Sequence, residues 1–390
     1  MNVTLRFRAG QATFCRRSLI ISKRISLVAL ALPFLGAPLR AETHANLQSV
    51  TAVGTSAWSG SYPFTVTGVL LTDPDEMLDS TPNFQPASAG TMGGEWQIAV
   101  QAVLAGDRGG TTCWIGQNYA IRRPPFDDAF SYSNEEWAAE VERLNHDPAT
   151  GHAFRKGDLV AVTANHSLFY GGKRNINEAH DKDPAADFII SLVISNYGLP
   201  APEVISLMSV MRTNDNNAAT SEDIFDVTCA TGGEHWQGMR VRITGLTLVD
   251  TNGWNPTNLW NNRKCTVTDG EGRFFTLRHP RYSLAPAPTN RFDALGVFTQ
   301  ESGSGVQGTN GYELFIQQVL PADDAVLAIA DRLVVSWPGS LSNYRLLGAD
   351  WLPATNWSPV TNQPVLVEGR NAVIQDPSEA KKFYRLERVQ

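Results

Sequence analysis

Short stretches in which apolar and polar residues alternate recur along most of the chain. They are rich in Val, Ile, Thr and aromatic residues and are separated by Gly, Pro, Asn and Asp, which is typical of strands in small barrels and sandwiches. The clearest are FTVTGVLL (64–71), EWQIAVQAV (95–103), TTCWI (111–115), DLVAVTANHSLF (158–169), MRVRITGLTLV (239–249), KCTVTD (264–269), FFTL (274–277), FDALGVFTQ (292–300), YELFIQQV (312–319) and LVVSWP (333–338). This pattern predicts an all-β protein.

One segment, SNEEWAAEVERLNHD (133–147), has helical periodicity instead. Ser133 is followed three residues later by Glu136, which is the spacing of a capping box, and Trp137 and Leu144 recur on one helical face. The first part of the chain therefore has the predicted order of three strands, one helix and two strands. A helix between the third and fourth strands is the order of an OB-fold barrel.

A later segment repeats part of this pattern. GDLVAVT (157–163) and GMRVRIT (238–244) share Gly-x-x-Val-x-(Val/Ile)-Thr, and the alternative is that two unrelated bent strands converged on the same alternation. We predict two OB-like barrels followed by a small C-terminal β-sandwich. The predicted boundaries are 46–199 for the first OB-like domain, 200–320 for the second and 328–390 for the sandwich.

Residues 1–41 have the composition of a secretory signal peptide. Basic residues precede the apolar run ISLVALALPFLGAPL, and Ala41 or Ala45 provides a small residue for cleavage. The apolar run is too short to cross a bilayer, and no later stretch is apolar enough to do so. We therefore expect an exported protein, secreted, periplasmic or at the cell surface, without a membrane span.

Removing this segment makes the remaining chain strongly acidic. Residues 1–41 hold seven Lys or Arg and no Asp or Glu, so the rest has 25 basic and 39 acidic residues and a net charge of −14. Such a charge disfavours nucleic acid as a partner. Of the three remaining cysteines, Cys229 and Cys265 fall in one predicted domain and are the candidates for a disulfide. Cys113 would then remain buried or free.

Several motifs resemble those of known exported proteins. The order VTGVLL, EWQIAVQ, GGTTCWIG and FRKGDLVAVTANHSLFYGGKRNINEAH is similar to OB-type domains of secreted, multi-domain bacterial proteins, some of which accompany extracellular nucleases. GGEHWQGMRVRITGLTLVD and the strands after it look like a second copy. The ending, LVVSWPGSLSNYRLLGADW to KKFYRLERV (332–389), resembles a short β-sandwich module of exported Verrucomicrobia and Planctomycetes proteins. The resemblance implies architecture and export, and no catalytic role comes with it.

Motifs for catalysis are missing from the sequence. It has no G-x-S-x-G elbow, no H-E-x-x-H helix and no Walker loop, so we predict a non-enzymatic protein. The histidines match no ligand spacing and are better interpreted as satisfied or exposed side chains; they include His146, His152, His166, His180, His235 and His279. No cofactor is expected apart from a structural Ca²⁺, for which three acidic loops offer oxygens: DPDEMLD (73–79), DKDPAAD (181–187) and DGEG (269–272). Asp73, Asp75 and Asp79 are the most specific set of ligands, and simple solvated loops are the alternative.

Aromatic and polar residues near two predicted strands are the candidates for ligand binding. OB barrels bind on the face of strands two and three, which carry Trp96 and Trp114. Trp96 alternates in phase with Ile98 and is therefore predicted to be in the core, whereas Trp114 is predicted to face outward. YGGKRNINEAH (170–180) is predicted to turn between strands four and five at the rim of that face. The candidate residues are Trp114, Tyr170, Lys173, Arg174 and Asn175.

These observations favour a binding or scaffold protein. A glycan or polysaccharide is the first ligand class to test, because an aromatic face accepts neutral rings and the acidic chain disfavours polyanions; a surface protein is another possible partner. One alternative is an accessory nucleic-acid-binding or nuclease-associated protein, and another is a purely structural surface protein. For the segment 170–180 the alternative is an ordinary hairpin whose amides bond to nearby backbone.

Overall fold

The structure, a computed structural model, describes residues 40–214, 217–284, 286–303, 305–322, 333–338, 343–349, 356–367, 370–375 and 383–389. Most elements are strands, which confirms the all-β class. The described residues of Phe34–Asp324 form one compact unit, and those of Ala325–Gln390 belong to a second. Nearly all of the predicted signal peptide, 1–39, lies outside the described residues.

The first β-domain, Arg40–Ile194, is built on one sheet of eight strands. They are β1 (Arg40–Ala41), β2 (Phe64–Leu70), β3 (Glu95–Ala102), β4 (Gly110–Gly116), β5 (Leu159–Ala164), β6 (Ser167–Tyr170), β7 (Lys173–Ile176) and β8 (Phe188–Ile194). Their order is β6-β7-β4-β3-β2-β5-β8, with β1 beside β2. Two helices, α1 (His44–Leu47) and α2 (Asn134–Asn145), complete the domain.

Helix α2 lies between β4 and β5, as predicted, and begins with the predicted capping box. The Glu136 backbone N–H donates to Ser133 Oγ at 3.2 Å, and the Ser133 N–H donates to Glu136 Oε2 at 2.8 Å. Trp137 and Leu144 on the inner face of the helix are buried in the same core as Trp96, which confirms the core position predicted for Trp96. Local sequence signals thus position the helix that covers one part of this domain.

The second β-domain, Glu203–Pro321, contains a closed barrel. Its elements are β9 (Glu203–Ile205), β10 (Met211–Asn214), β11 (Asn217–Asp223), α3 (Gly232–Trp236), β12 (Arg240–Asp250), β13 (Lys264–Thr268), β14 (Phe274–Arg278), β15 (Phe292–Gln300) and β16 (Tyr312–Pro321). The sheet runs β13-β14-β16-β15-β12-β9, and β12 also pairs with β13, which closes a barrel of five strands. The repeated motifs begin β5 and β12, so they occupy different places: β5 follows the helix of its domain, whereas β12 is the first barrel strand.

The two β-domains share an apolar cluster between them, which we call the inter-domain cluster. The first domain contributes Leu71, Met77, Leu78 and Ala99, and the second contributes Val297 and Phe315. All six are buried, and Trp114 and Trp260 pack against them. The two β-domains therefore form one continuous body.

The C-terminal unit has two small sheets. Its strands are β17 (Leu333–Pro338), β18 (Tyr344–Ala349), β19 (Ser358–Pro359), β20 (Val365–Val367), β21 (Arg370–Gln375) and β22 (Phe383–Arg388), paired as β17-β21-β20 and β19-β18-β22. Trp337 and Val373 from one sheet and Leu346 from the other share a core, as expected for a sandwich. Trp337 is thus a core residue of this unit.

The suggested disulfide between Cys229 and Cys265 is not formed. Cys265 lies on β13 and faces the barrel core, whereas Cys229 lies in the turn before α3, and both are free, as is the buried Cys113. In the part of the chain that the structure describes, no helix combines the length and the hydropathy needed to cross a membrane.

Candidate functional site

The outer face of β3 and β4, where a ligand was expected, is covered by the second β-domain. Gln97, Ala99 and Gln101 alternate along that face, and each is buried. Ala99 belongs to the inter-domain cluster, and Gln101 Oε1 accepts the Arg240 N–H at 2.8 Å. Packing between the domains thus covers the face of β3 and β4 on which ligand binding was expected.

Trp114 lies at the edge of this covered face. Its side chain is half-buried and points away from Cys113 and Ile115, both fully buried. Its indole N–H donates to Glu95 Oε1 at 3.3 Å, and its ring meets that of His180 edge-on, with centroids 5.8 Å apart. Burial raises the pKa of Glu95. Trp114 is therefore engaged with protein groups on several sides.

The predicted rim segment is the hairpin of β6 and β7, and its turn contacts the second domain. Gly171 and Gly172 both have positive φ, 65° and 94°, which favours glycine. Tyr170 before them is exposed, but Lys173 is only 3 % exposed. The Lys173 ammonium pairs with Glu301 Oε1 at 2.6 Å and donates to the Gln300 carbonyl. The turn is thus an inter-domain contact.

Trp114 and this turn lie at different ends of one ladder. Strands β4 and β7 are parallel, with Thr112 beside Asn175 and Cys113 beside Ile176. Trp114 is therefore level with residue 177, about 13 Å along the strand from Lys173 at 3.3 Å per residue. The five predicted ligand residues do not converge on one open groove.

Arg174, on strand β7 of the hairpin, contacts a group of aromatic residues that was not predicted from the sequence. Its guanidinium carbon lies 4.6 Å from the centroid of the Trp58 ring. The guanidinium also donates to Ser167 Oγ at 3.0 Å and to Ser56 Oγ at 2.6 Å. Arg174 is 9 % exposed and contacts this group from its buried side. Its neighbour Asn175 is half-buried.

We call Trp58, Tyr62, Phe64 and His166 the aromatic cluster. Tyr62 is 40 % exposed, and its ring is stacked on that of His166, with centroids 5.6 Å apart and an interplanar angle of 9°. The Trp58 ring lies 5.5 Å from that of Tyr62 and 5.3 Å from that of Phe64. The chain thus presents an aromatic surface that is partly open to solvent.

Hydrogen bonds fix the rings of the aromatic cluster in place. The Tyr62 hydroxyl bonds to Ser167 Oγ at 2.7 Å and accepts the Ser167 N–H at 3.1 Å. The Trp58 indole N–H donates to Glu42 Oε2 at 3.0 Å, and His166 Nδ1 lies 3.0 Å from Asn177 Oδ1. The available sequence signal was the segment SAWSGSYPF (56–64), in which three aromatic residues alternate with small ones.

A second feature of the first β-domain is a group of acidic side chains, which we call the carboxylate cluster: Glu140, Glu178 and Asp187. One carboxylate oxygen of each residue lies within 4.8 Å of an oxygen of each of the other two. Among the described residues, these three acids are the set of His, Cys, Asp or Glu side chains that lie close enough together to hold a metal ion. The hydroxyls of Tyr119 and Tyr132 donate to Glu178 Oε2 at 3.0 and 2.8 Å. Burial, reinforced by the Glu140 charge, raises the pKa of Glu178 well above its usual range.

The aspartates predicted to bind Ca²⁺ are engaged by protein donors instead. The Lys156 N–H donates to Asp73 Oδ1 at 2.8 Å, and Ser80 Oγ donates to Asp75 Oδ1 at 2.5 Å. Asp79 forms an ion pair with Arg281 of the second β-domain at 2.9 Å. These carboxylates hold the loop to its neighbours, and the structure gathers a different set of acids.

Of the five predicted ligand residues, Tyr170 is exposed, Trp114 and Asn175 are half-buried, and Lys173 and Arg174 are buried. The aromatic cluster and the carboxylate cluster are the two arrangements whose chemistry suits a ligand. No protein-family model, curated protein or solved structure matches the chain.

Proposed function

We propose that this is an exported, non-enzymatic carbohydrate-binding protein and that a sugar ring packs on the aromatic cluster. The main observation in support is that the Tyr62 ring is 40 % exposed and stacks on the ring of His166. A pyranose ring has apolar C–H groups on its faces, which pack well against an aromatic face, and hydroxyls at its edges. Because hydrogen bonds already fix the Tyr62 hydroxyl, little side-chain entropy is lost on binding.

Charge and architecture support a neutral ligand. The chain after residue 41 has a net charge of −14, which opposes polyanions but not neutral polysaccharides. The barrel strands β12 to β16 are arranged in the order first, second, third, fifth, fourth, with the third and fifth parallel. This supports the OB-like interpretation, and OB folds include oligosaccharide binders. The aromatic cluster lies outside this barrel, in the first β-domain, where packing between the β-domains covers the face of β3 and β4 that was expected to bind a ligand.

Affinity electrophoresis against a panel of neutral polysaccharides tests the proposal. We expect at least one to retard the protein and Tyr62→Ala to weaken that binding at least tenfold, which corresponds to about 1.4 kcal/mol. Tyr62→Phe keeps the ring and should retain most of the affinity. Tyr197→Ala is the matched control, because Tyr197 is 49 % exposed and lies outside the cluster.

Two results would contradict this assignment. One is that no polysaccharide binds; the other is that Tyr62→Ala binds as tightly as the unchanged protein. Trp114→Ala and Tyr170→Ala test the site predicted from the sequence. A loss of binding in those variants alone would place the sugar at the edge of the inter-domain face instead.

The alternative function, an accessory role in nucleic-acid binding, is supported only by the resemblance to domains that accompany nucleases. Retention on single-stranded DNA that falls steeply with added salt would favour it. Absence of retention at low salt, together with absence of polysaccharide binding, would favour a purely structural surface protein.

A further inference from the structure

The carboxylate cluster joins three elements of the first β-domain that are distant in sequence. Glu140 lies on α2, Glu178 in the loop after β7, and Asp187 directly before β8. Arg143, one turn along α2, forms a two-point ion pair with Glu140. Its Nη2 also lies 3.8 Å from Glu178 Oε1 and 3.6 Å from an Asp187 carboxylate oxygen.

The cluster contains more acidic than basic side chains. Three carboxylates face one guanidinium, and among the described residues Arg143 is the basic side chain within ion-pair distance of all three. Glu178 is fully buried and Glu140 is 9 % exposed. Three ionised carboxylates at such depth would be costly, and a further positive charge, supplied by a proton or by a metal ion, would stabilise the arrangement.

The two oxygens of Glu178 have different surroundings. Oε2 accepts hydrogen bonds from both Tyr119 and Tyr132. Oε1 is buried without a hydrogen-bond partner and is the oxygen on the side of Arg143. Oε1 is therefore the oxygen of Glu178 that is available to act as a ligand.

We propose that the carboxylate cluster binds one divalent cation of the oxygen-preferring class, such as Ca²⁺, through Glu140, Glu178 and Asp187. Calcium takes carboxylate oxygens at about 2.3–2.6 Å, so oxygens on opposite sides of the ion are about 5 Å apart. The observed spacing, within 4.8 Å, satisfies this limit. Arg143, whose side chain is 34 % exposed, would give up its carboxylate contacts to the ion and keep the hydrogen bond from its Nη1 to the Phe188 carbonyl at 2.9 Å. The ion would tie α2 to the loop after β7 and to β8.

Calcium titration of the full chain, freed of metal with a chelator, tests the proposal. Calorimetry should show one site per chain, and added Ca²⁺ should raise the melting temperature by several degrees. Asp187→Asn and Glu178→Gln should each lower the calcium affinity at least tenfold. Glu142→Gln is the matched control, because this acid lies on the same helix but its side chain is 74 % exposed.

Other outcomes would overturn the proposal. If Ca²⁺ produces neither binding heat nor a shift in melting temperature, Arg143 and a bound proton are sufficient to balance the cluster. If Asp73→Asn abolishes calcium binding and Asp187→Asn does not, the ion lies in the acidic loop at 73–79. Because Asp187 is partly exposed, Asp187→Asn remains informative even if Glu178→Gln fails to fold.

Discussion

Single buried acids in this protein have environments that the sequence does not reveal. Glu234, on α3, is 5 % exposed, and its Oε1 accepts a hydrogen bond from the Tyr312 hydroxyl at 2.7 Å. Its Oε2 is buried without a hydrogen-bond partner. Burial raises the pKa of Glu234 to about 7, even though the Tyr312 hydrogen bond opposes the shift. The folded state therefore favours the protonated carboxyl.

Glu234→Gln should make the protein more stable at high pH. Because the pKa of Glu234 is raised from 4.5 in the unfolded chain to about 7 in the fold, the stability from its proton is complete below pH 4.5 and is lost as the pH rises through 7. The amide removes this loss, so we expect a gain in the free energy of unfolding of about 1–3 kcal/mol at pH 8 and little change at pH 4.5. Urea unfolding at pH 8 and pH 4.5 measures this change in the free energy of unfolding, and the exposed Glu271→Gln is the control. Equal effects of Glu234→Gln at the two pH values would contradict the raised pKa of Glu234.

Strands show where prediction from the sequence succeeded and where it failed. Alternation located the strands, and the capping box located α2, because both signals are local in sequence. The face of β3 that was expected to bind a ligand is instead buried, as is nearly all of β15, since each of these strands covers the other domain's outer face. The aromatic cluster was missed for a similar reason, as was the proximity of Glu140 and Glu178 to Asp187 of the acidic loop 181–187. Arg174 and Ser56, which help to form the aromatic cluster, are 118 residues apart.

The ion pair between the β6–β7 hairpin and the second β-domain should contribute measurably to stability. Lys173 is 3 % and Glu301 25 % exposed, so water screens this pair less than a surface pair. In a double-mutant cycle of Lys173→Met and Glu301→Gln, we expect a coupling energy of about 1–2 kcal/mol from urea unfolding. The exposed pair Lys182 and Glu136 is the control and should give about 0.5 kcal/mol or less. Equal coupling in both pairs would show that burial of Lys173 adds nothing.

At the scale of the molecule, contacts between the β-domains are extensive and mixed in chemistry. Besides the inter-domain cluster, the Arg263 guanidinium donates to the Met77 carbonyl at 2.5 Å and the Gln317 amide to the Leu71 carbonyl at 2.6 Å. Gly110 and Gly238 approach so closely that a side chain on either would collide with the other's backbone. Such close packing holds the two β-domains against each other. It also explains why the face of β3 and β4 that was expected to bind a ligand is covered.

The two β-domains should therefore unfold together. Val267→Ala removes two methyl groups from the core of the second β-domain only, and we expect a loss of about 1–3 kcal/mol. If the domains unfold as one unit, hydrogen exchange in β2 of the first β-domain should be accelerated to the same extent as in β15 when measured across a urea series. Val373→Ala is the matched control, because Val373 is equally buried but belongs to the C-terminal unit. Protection of β2 that stays at its original level while β15 opens would show that the inter-domain contacts do not couple the two folds.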